Sequence, residues 1–206
     1  SQEQTIFQYT IILISLWSQN MNKPLLILIS GKQGAGKTTT AKELAIEFDI
    51  RHKKCVLMKF ADVLYNLHDL IITHMSQYNL NLKTPDKRLL QLLGTEWGRS
   101  INPDIWVDII HQRIREAKSD VIIIDDCRFN NECDIDYSPK VTVRLIADRD
   151  TRKARADMWR DNEDHPSETA LDKFSDEGLF DIYLNTQVDD VKRVVEMIIF
   201  EIGDLL

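Results

Sequence analysis

The sequence LLILISGKQGAGKT, from Leu25 to Thr38, decides the fold. Its first five residues form a continuous apolar run, which is typical of a strand buried in a parallel sheet. The segment from Gly31 to Thr38 then fits the pattern GxxxxGK[ST] without mismatch, and helical spacing follows from about Lys37 to Phe48. Strand, glycine-rich turn and helix together predict a loop that binds the phosphates of a nucleoside triphosphate. A chance match in a glycine-containing turn is the alternative.

Each part of this loop has a physical role in holding phosphate. Glycines let the backbone wrap around a phosphate and present N–H groups to it, and the helix N-terminus adds positive potential. Lys37 is expected to reach the β- and γ-phosphates, and the Thr38 hydroxyl to coordinate Mg²⁺. We therefore expect ATP and Mg²⁺ as cofactors. The donor-binding residues predicted here are Gly31, Gln33, Gly34, Ala35, Gly36, Lys37, Thr38 and Thr39.

Strands and helices alternate along the rest of the chain. The further predicted strands are 55–60, 121–124, 141–146 and 181–185. The further predicted helices cover 61–75, a segment starting near Pro85, 103–118 and 188–202. This alternation predicts an α/β fold in which a five-stranded parallel sheet is covered by helices on both faces.

Composition narrows the class of protein. The chain has 206 residues, 43% of them hydrophobic, which predicts one soluble domain with a sizeable core. Its net charge of −7 argues against a protein that coats a nucleic-acid polymer, although a local basic pocket for a small phosphate remains compatible. Cys55, Cys127 and Cys133 show no metal-ligand spacing and are read as intracellular free thiols.

The first twenty residues differ from the rest. The apolar stretch 5–17 is shorter than a membrane span, and it lacks the basic start and the cleavage site of a signal peptide. Met21 to Pro24 resembles a natural chain start. Residues 1–20 are therefore predicted to be an N-terminal extension or non-native sequence, with one domain over 21–206. The alternative is a segment that packs on the domain or contacts a second copy.

Acidic and basic residues follow the predicted third strand. Asp125 and Asp126 end this strand at the carboxyl edge of the sheet, where ligands bind in such folds. We assign Asp126 to Mg²⁺ and to catalysis; a helix or loop cap is the alternative. Arg128 is expected to point its guanidinium into the same crevice, and its alternative is a surface salt bridge.

A second group of arginines follows the predicted fourth strand. Arg149, Arg152 and Arg155 are spaced for one helix face, and Arg160 follows. In an acidic chain this cluster favours an arginine-rich lid, about residues 149–168, that closes over phosphate. Pairing with the acidic residues of 157–164 is the alternative.

Basic and aromatic residues also lie around the helix after Pro85. The basic residues are Lys83, Lys87, Arg88 and Arg99, and the aromatic ones are Trp97 and Trp106. Arginine can clamp a phosphate while an aromatic ring stacks on a base. Tryptophans at helical spacing are also common in a core, which is the alternative.

Several segments resemble the viral, bacteriophage-type deoxynucleoside monophosphate kinases, a branch of the P-loop nucleoside monophosphate kinases. The matching segments are ISGKQGAGKTTTA at 29–41, FADVL at 60–64, LLQLLGTEWGRSINPDIWVD at 89–108, DDCRFNNE at 125–132 and HPSETAL at 165–171, and Asn185-Thr186 resembles the family's closing strand. Many members have an acidic residue where this chain has Thr38.

The resemblance implies phosphoryl transfer from ATP to a deoxynucleoside monophosphate, a homodimer, and a place in the cytoplasm, that of the host if the protein is viral. Lys37, Arg128, Arg152 and Asp126 are the expected catalytic residues. The expected acceptor-site residues are Phe60, Asp62, Arg88, Gln91, Trp97, Arg99, Trp106, Arg128 and Arg155, and Arg149 and Asn185 are expected at the donor.

Two other functions stay open. One is a kinase for another small phosphorylated acceptor, such as dephospho-coenzyme A or phosphomevalonate. The other is a P-loop ATPase or nucleotide-sensing module, which needs only one phosphate site. The separate arginine clusters argue against this second function. The bases accepted, and the choice between deoxyribose and ribose, do not follow from the sequence.

Overall fold

A computed structural model describes residues 23–78, 82, 84–156, 159 and 164–205 of the chain. The predicted extension 1–20 lies outside the described residues, as do Lys83 and Arg160. Among the described residues, none of the helices combines the length and the apolar character needed to cross a bilayer.

Five parallel strands form one sheet in the order β2-β3-β1-β4-β5. The strands are β1 Leu25–Ser30, β2 Cys55–Met58, β3 Val121–Cys127, β4 Lys140–Ile146 and β5 Ile182–Asn185. The predicted α/β class with a five-stranded parallel sheet is thereby confirmed.

The central strand β1 is buried along its whole length, which explains its unbroken apolar sequence. Leu25 and Ile27 face one side of the sheet, and Leu26 and Leu28 face the other, because successive side chains of a strand alternate. Each set joins a separate hydrophobic cluster. Both faces of the sheet are therefore covered.

Helices surround this sheet in the described part of the chain. Apart from the three-residue helix Arg99–Ile101, the α-helices are α1 Lys37–Ile50, α2 Asp62–Ser76, α3 Lys87–Gln91, α4 Ile105–Glu116, α5 Asn130–Cys133, α6 Arg149–Arg155, α7 Pro166–Thr169, α8 Asp172–Asp176 and α9 Val191–Glu201. Leu44 of α1 packs with Ile198 of α9 on one face. Trp106 of α4 packs with Phe174 of α8 on the other face.

Strand β2 is shorter than predicted because the chain leaves the sheet after Met58. The backbone N–H of Lys59 donates to Asp62 at 3.0 Å, and that of Phe60 donates to Asp126 at 2.9 Å. These side-chain bonds replace the sheet hydrogen bonds and turn the chain into α2. Strand β3 is longer than predicted, since Cys127 still pairs with Ser30.

The helix predicted after Pro85 is irregular. After α3 the chain forms a π-helix over Leu92–Gly98 and a short helical turn over Arg99–Ile101. A Cβ on Gly98 would lie 2.5 Å from the Trp106 ring, so this close approach needs glycine. Single turns of π-helix are frequent at functional sites.

Candidate functional site

The loops that follow β1, β2, β3 and β4 meet at the carboxyl edge of the sheet. Strand β1 lies between β3 and β4, so the chain crosses from one side of β1 to the other at this edge. Ligands of open parallel sheets bind at such a crossing point. The loop from Gly31 to Lys37 lies here, directly after β1.

Lys37 folds back over its own loop. Its Nζ donates to the carbonyl of Gly31 at 2.6 Å and to that of Lys32 at 3.0 Å, and the residue is buried. Burial lowers the pKa of Lys37 to about 7, and the charge of Arg128 acts in the same direction. An entering phosphate would offset both effects, so the loop favours an anionic ligand.

The backbone of Gln33, in the middle of the loop, is held on both sides. Its carbonyl accepts from Arg152 Nη1 at 3.0 Å, and its N–H donates to Glu168 Oε2 at 2.9 Å. The next residue, Gly34, has φ +78°, and a Cβ there would lie 2.2 Å from the carbonyl oxygen of Arg152. Helix α6 is therefore packed directly against the phosphate loop.

Arg152 is buried in this packing. Besides Gln33, its Nε donates to the carbonyl of Ala147 at 3.2 Å, and its guanidinium lies 5.5 Å from the Trp159 ring. Through these contacts Arg152 packs against the phosphate loop. The lid that was predicted for 149–168 stays a prediction, since 157–158 and 160–163 lie outside the described residues.

Asp125 and Asp126 point to opposite faces of the sheet. Asp125 is buried on the side of Lys37, and Lys59 Nζ lies 3.4 Å from its Oδ1. Asp126 instead accepts from the backbone N–H groups of Phe60 and Ala61, at 2.9 Å and 3.0 Å. Both Asp126 oxygens thus fix the loop between β2 and α2. Asp125 is better placed than Asp126 to serve Mg²⁺ beside the phosphate loop.

A cavity of about 340 Å³ opens next to the phosphate loop. Gln33 of the phosphate loop lines it, together with Glu168 and Trp106. The sequence-predicted residues in its wall are Phe60, Gln91, Arg99, Trp106, Asp126 and Arg128. The Trp106 Nε1 donates to the carbonyl of Gly94 at 2.9 Å, which leaves only the ring for a ligand.

Two arginines line this cavity: Arg99, in the helical turn after the π-helix, and Arg128, in the loop after β3. Arg128 follows β3, and its Nη1 donates to the Ser167 carbonyl at 3.1 Å and to the Glu168 carboxylate. Arg99 Nη2 donates to Glu132 Oε1 at 2.6 Å, and the Arg99 guanidinium lies 4.0 Å from the Phe129 ring. Both guanidinium groups are therefore oriented by carboxylates.

Glu132 links the two arginines. Its buried Oε2 accepts from the backbone N–H of Arg128 at 2.7 Å and from that of Phe129 at 3.0 Å, while Oε1 accepts from Arg99. Burial raises the pKa of Glu132 to about 7, against the effect of these donors. This residue was not singled out from the sequence, although it lies in the segment DDCRFNNE.

Four predicted acceptor residues lie outside this cavity. Asp62 pairs with Arg113 at 2.8 Å, at the start of α2. Arg88 and Trp97 are exposed and do not line the cavity. Arg155 Nη2 donates to the carbonyl of Thr186 at 2.7 Å, near the loop after β5.

Asn185 and Arg149, the two donor residues predicted outside the phosphate loop, make contacts elsewhere. The Asn185 side chain accepts from the N–H of Gln187 at 2.9 Å and caps a turn. Its neighbour Thr186 is the residue that contacts the phosphate loop, through Oγ1 and the carbonyl of Ala35 at 3.1 Å. Arg149 is exposed, with its guanidinium 5.6 Å from the Trp159 ring.

The sheet order together with the GxxxxGK[ST] loop after the central strand defines the P-loop kinase fold. Solved structures agree with this class. A shikimate kinase from Acinetobacter baumannii, in complex with shikimate, superposes with a TM-score of 0.51 at 11% identity, over 88% of this chain and 93% of that one. A shikimate kinase from Aquifex aeolicus vf5 gives 0.50 at 13% identity, over 87% and 96%. At these identities the likeness concerns the fold.

Sequence comparison finds relatives that match parts of the chain. A model of the family described as Zeta toxin matches residues 14–76, which include the phosphate loop. The deoxynucleoside-5'-monophosphate kinase of Escherichia phage T5 is 35% identical over 74 residues, which is 35% of this chain and 30% of that protein. The match thus spans less than a third of the phage enzyme. The resemblance to a phage-type P-loop kinase is confirmed over that stretch.

Proposed function

We propose that the protein transfers the γ-phosphoryl group of ATP to the phosphate of a deoxynucleoside 5'-monophosphate, giving a deoxynucleoside diphosphate. The observation that carries this proposal is the cavity beside the phosphate loop. It combines two carboxylate-oriented arginines, Arg99 and Arg128, with the rings of Phe60 and Trp106.

The lining of the cavity suits a nucleotide better than a non-aromatic acceptor. A volume of about 340 Å³ lies in the range of small-molecule sites. Guanidinium forks bind a monophosphate through paired N–H groups, and an aromatic wall offers a stacking surface for a base. The identity with the phage T5 enzyme supports the same substrate class.

The reaction needs positioning and charge stabilisation and no covalent nucleophile on the protein. An oxygen of the acceptor phosphate forms a bond to the γ-phosphorus while the bond between that phosphorus and the β,γ-bridging oxygen breaks. Lys37 and the N–H groups of the loop hold the donor, and Arg128 faces the crevice between the two sites. Closeness of the reacting atoms supplies much of the acceleration.

The residues beside the loop also suit Mg²⁺. The Thr38 hydroxyl is exposed at the start of α1, and the Asp125 carboxylate ends β3 on the side of Lys37. Hydroxyl and carboxylate oxygens are the hard ligands that Mg²⁺ prefers. When bound, the ion supplies neutralisation of the charge on the transferring phosphates.

An acceptor screen tests the proposal. ADP release in a coupled assay is measured with each deoxynucleoside and ribonucleoside monophosphate, with shikimate, and without acceptor. We expect at least one deoxynucleoside monophosphate to stimulate ADP release, and no stimulation in Lys37→Ala. Equal ADP release with and without every acceptor would instead identify a P-loop ATPase. Stimulation by shikimate alone would identify a different small-acceptor kinase.

A further inference from the structure

Glu168 lies at the junction of the donor and acceptor sites and has no role in the transfer described above. Its side chain is only 6% exposed. One carboxylate oxygen accepts from the backbone N–H of Gln33 in the phosphate loop, and the other accepts from Arg128 Nη1. A single side chain thus connects the loop that binds ATP to the arginine proposed for the acceptor.

The short helix α7, which carries Glu168, is anchored in place. His165 begins it, with Nδ1 accepting from the N–H of Ser167 at 3.2 Å. Three residues after Glu168, the side chain of Leu171 is buried in the core, and Asp172 Oδ2 pairs with Lys32 Nζ at 2.9 Å. The carboxylate therefore extends from a fixed backbone.

The hydrogen bonds that hold Arg128 determine which of its N–H groups remain available to a ligand. Both of its side-chain hydrogen bonds, to Glu168 and to the carbonyl of Ser167, use Nη1. Nε and Nη2 make no hydrogen bond to any residue that the structure describes. Arg128 lines the cavity, so these groups are left for an anion that enters it.

Free arginine side chains lose considerable rotamer freedom when they bind, and a fixed partner removes that cost in advance. On this geometry, and resting on the proposed function, we infer that Glu168 is a positioning residue. It holds the Arg128 guanidinium at the edge of the phosphate loop and directs its remaining N–H groups to the acceptor phosphate. The Arg128 charge and the Gln33 N–H outweigh burial and hold the pKa of Glu168 below its usual range, so the carboxylate is ionised at neutral pH.

The test uses Glu168→Gln in the full chain, with Glu177→Gln as the matched control. Glu177 is an exposed carboxylate at the end of α8, paired only at 3.7 Å with Lys173 among the described residues. Gln33 and Arg128 donate to different oxygens of Glu168, so in Glu168→Gln one of these two donors faces the amide NH₂ group, which cannot accept its hydrogen bond. We expect kcat/KM for the best acceptor of the screen to fall on the order of tenfold to a hundredfold, since small misplacements of a reacting group cost this much.

ATP affinity separates positioning from loss of structure. Glu168→Gln removes a negative charge beside the phosphate loop, so ATP should bind at least as tightly as in the unmutated protein. Parallel losses of ATP affinity, acceptor turnover and Tm would show a merely structural role and overturn the inference. Glu177→Gln should change none of these quantities.

A double variant tests the route through Arg128. In an Arg128→Lys background, adding Glu168→Gln should cost less than about twofold, because residues that act through one another are non-additive. A full multiplicative loss would contradict the inference.

A crystal structure of Glu168→Gln without ligand tests the inference independently of any activity assay. It should show the Arg128 guanidinium displaced from its place beside Gln33. An unmoved Arg128 overturns the inference, whereas absence of transfer to any monophosphate in the unmutated protein contradicts the proposed function alone.

Discussion

At the residue scale, Lys37 is the lysine of the phosphate loop, and its Nζ donates to the carbonyls of Gly31 and Lys32. Lys37→Ala should lower phosphoryl transfer on the order of a hundredfold or more, because it removes a positive charge from the transferring group. The circular dichroism spectrum should stay unchanged, since Lys37 belongs to neither of the two hydrophobic clusters of the core. Near-native turnover with a normal spectrum would contradict this role.

Arg128 gives a second prediction at this scale. Lysine keeps the charge but lacks the planar fork that matches a monophosphate. Arg128→Lys should therefore retain ATP affinity, measured by titration, and lose about 2–4 kcal/mol in kcat/KM for the acceptor, by analogy with removal of one preorganised donor. Unchanged acceptor turnover would return Arg128 to a structural ion pair with Glu168.

At the scale of elements, the irregular segment after α3 shapes the cavity proposed for the acceptor. Gly98 ends the π-helix and packs on the ring of Trp106, which lines the cavity. Gly98→Ala forces the ring to move, and overpacking of this kind costs about 1–3 kcal/mol. We expect a lower Tm and a raised KM for the acceptor, with ATP affinity preserved.

Gly203→Ala is the control for this variant, because a Cβ there meets nothing within 4 Å. Differential scanning calorimetry and initial rates measure both proteins. If the acceptor KM of Gly98→Ala equals that of the control, the π-helix does not shape the proposed acceptor site.

Strongly patterned elements could be predicted from the sequence, and the reason is physical. A strand such as Leu25–Ser30 is buried on both faces, so its whole length is apolar, and the loop after it needs glycine at fixed positions. The π-helix could not be predicted, because the spacing of apolar residues in Leu92–Gly98 does not distinguish it from an α-helix, and the close approach of Gly98 to Trp106 joins two different elements.

Side-chain direction was the least predictable part of the site. Asp125 and Asp126 are adjacent in sequence, but strand alternation sends one toward Lys37 and the other to the loop after β2. Arg152 matches a lid pattern by spacing, and its spacing does not reveal that it is buried with its Nη1 donating to the carbonyl of Gln33. Glu168 carries no periodic signal and was not singled out from the sequence, although it lies within the segment HPSETAL.

At the scale of the whole molecule, the regions proposed for the donor and the acceptor meet at one edge of the sheet. The phosphate loop follows β1, Arg128 follows β3, and α7 joins them through Glu168. The cavity lies on the β2 and β3 side of the loop, lined by Phe60 and Trp106. This arrangement supports transfer between two bound phosphates more readily than hydrolysis at a single site.

The identity of the phosphorylated product is the most direct test of this account. The protein is incubated with [γ-³²P]ATP, Mg²⁺ and the deoxynucleoside monophosphate that stimulates most ADP release, and the products are separated by chromatography. We predict that the label appears in the deoxynucleoside diphosphate, in amounts equal to the ADP formed. Label found only as inorganic phosphate, at a rate independent of the monophosphate, would contradict the account.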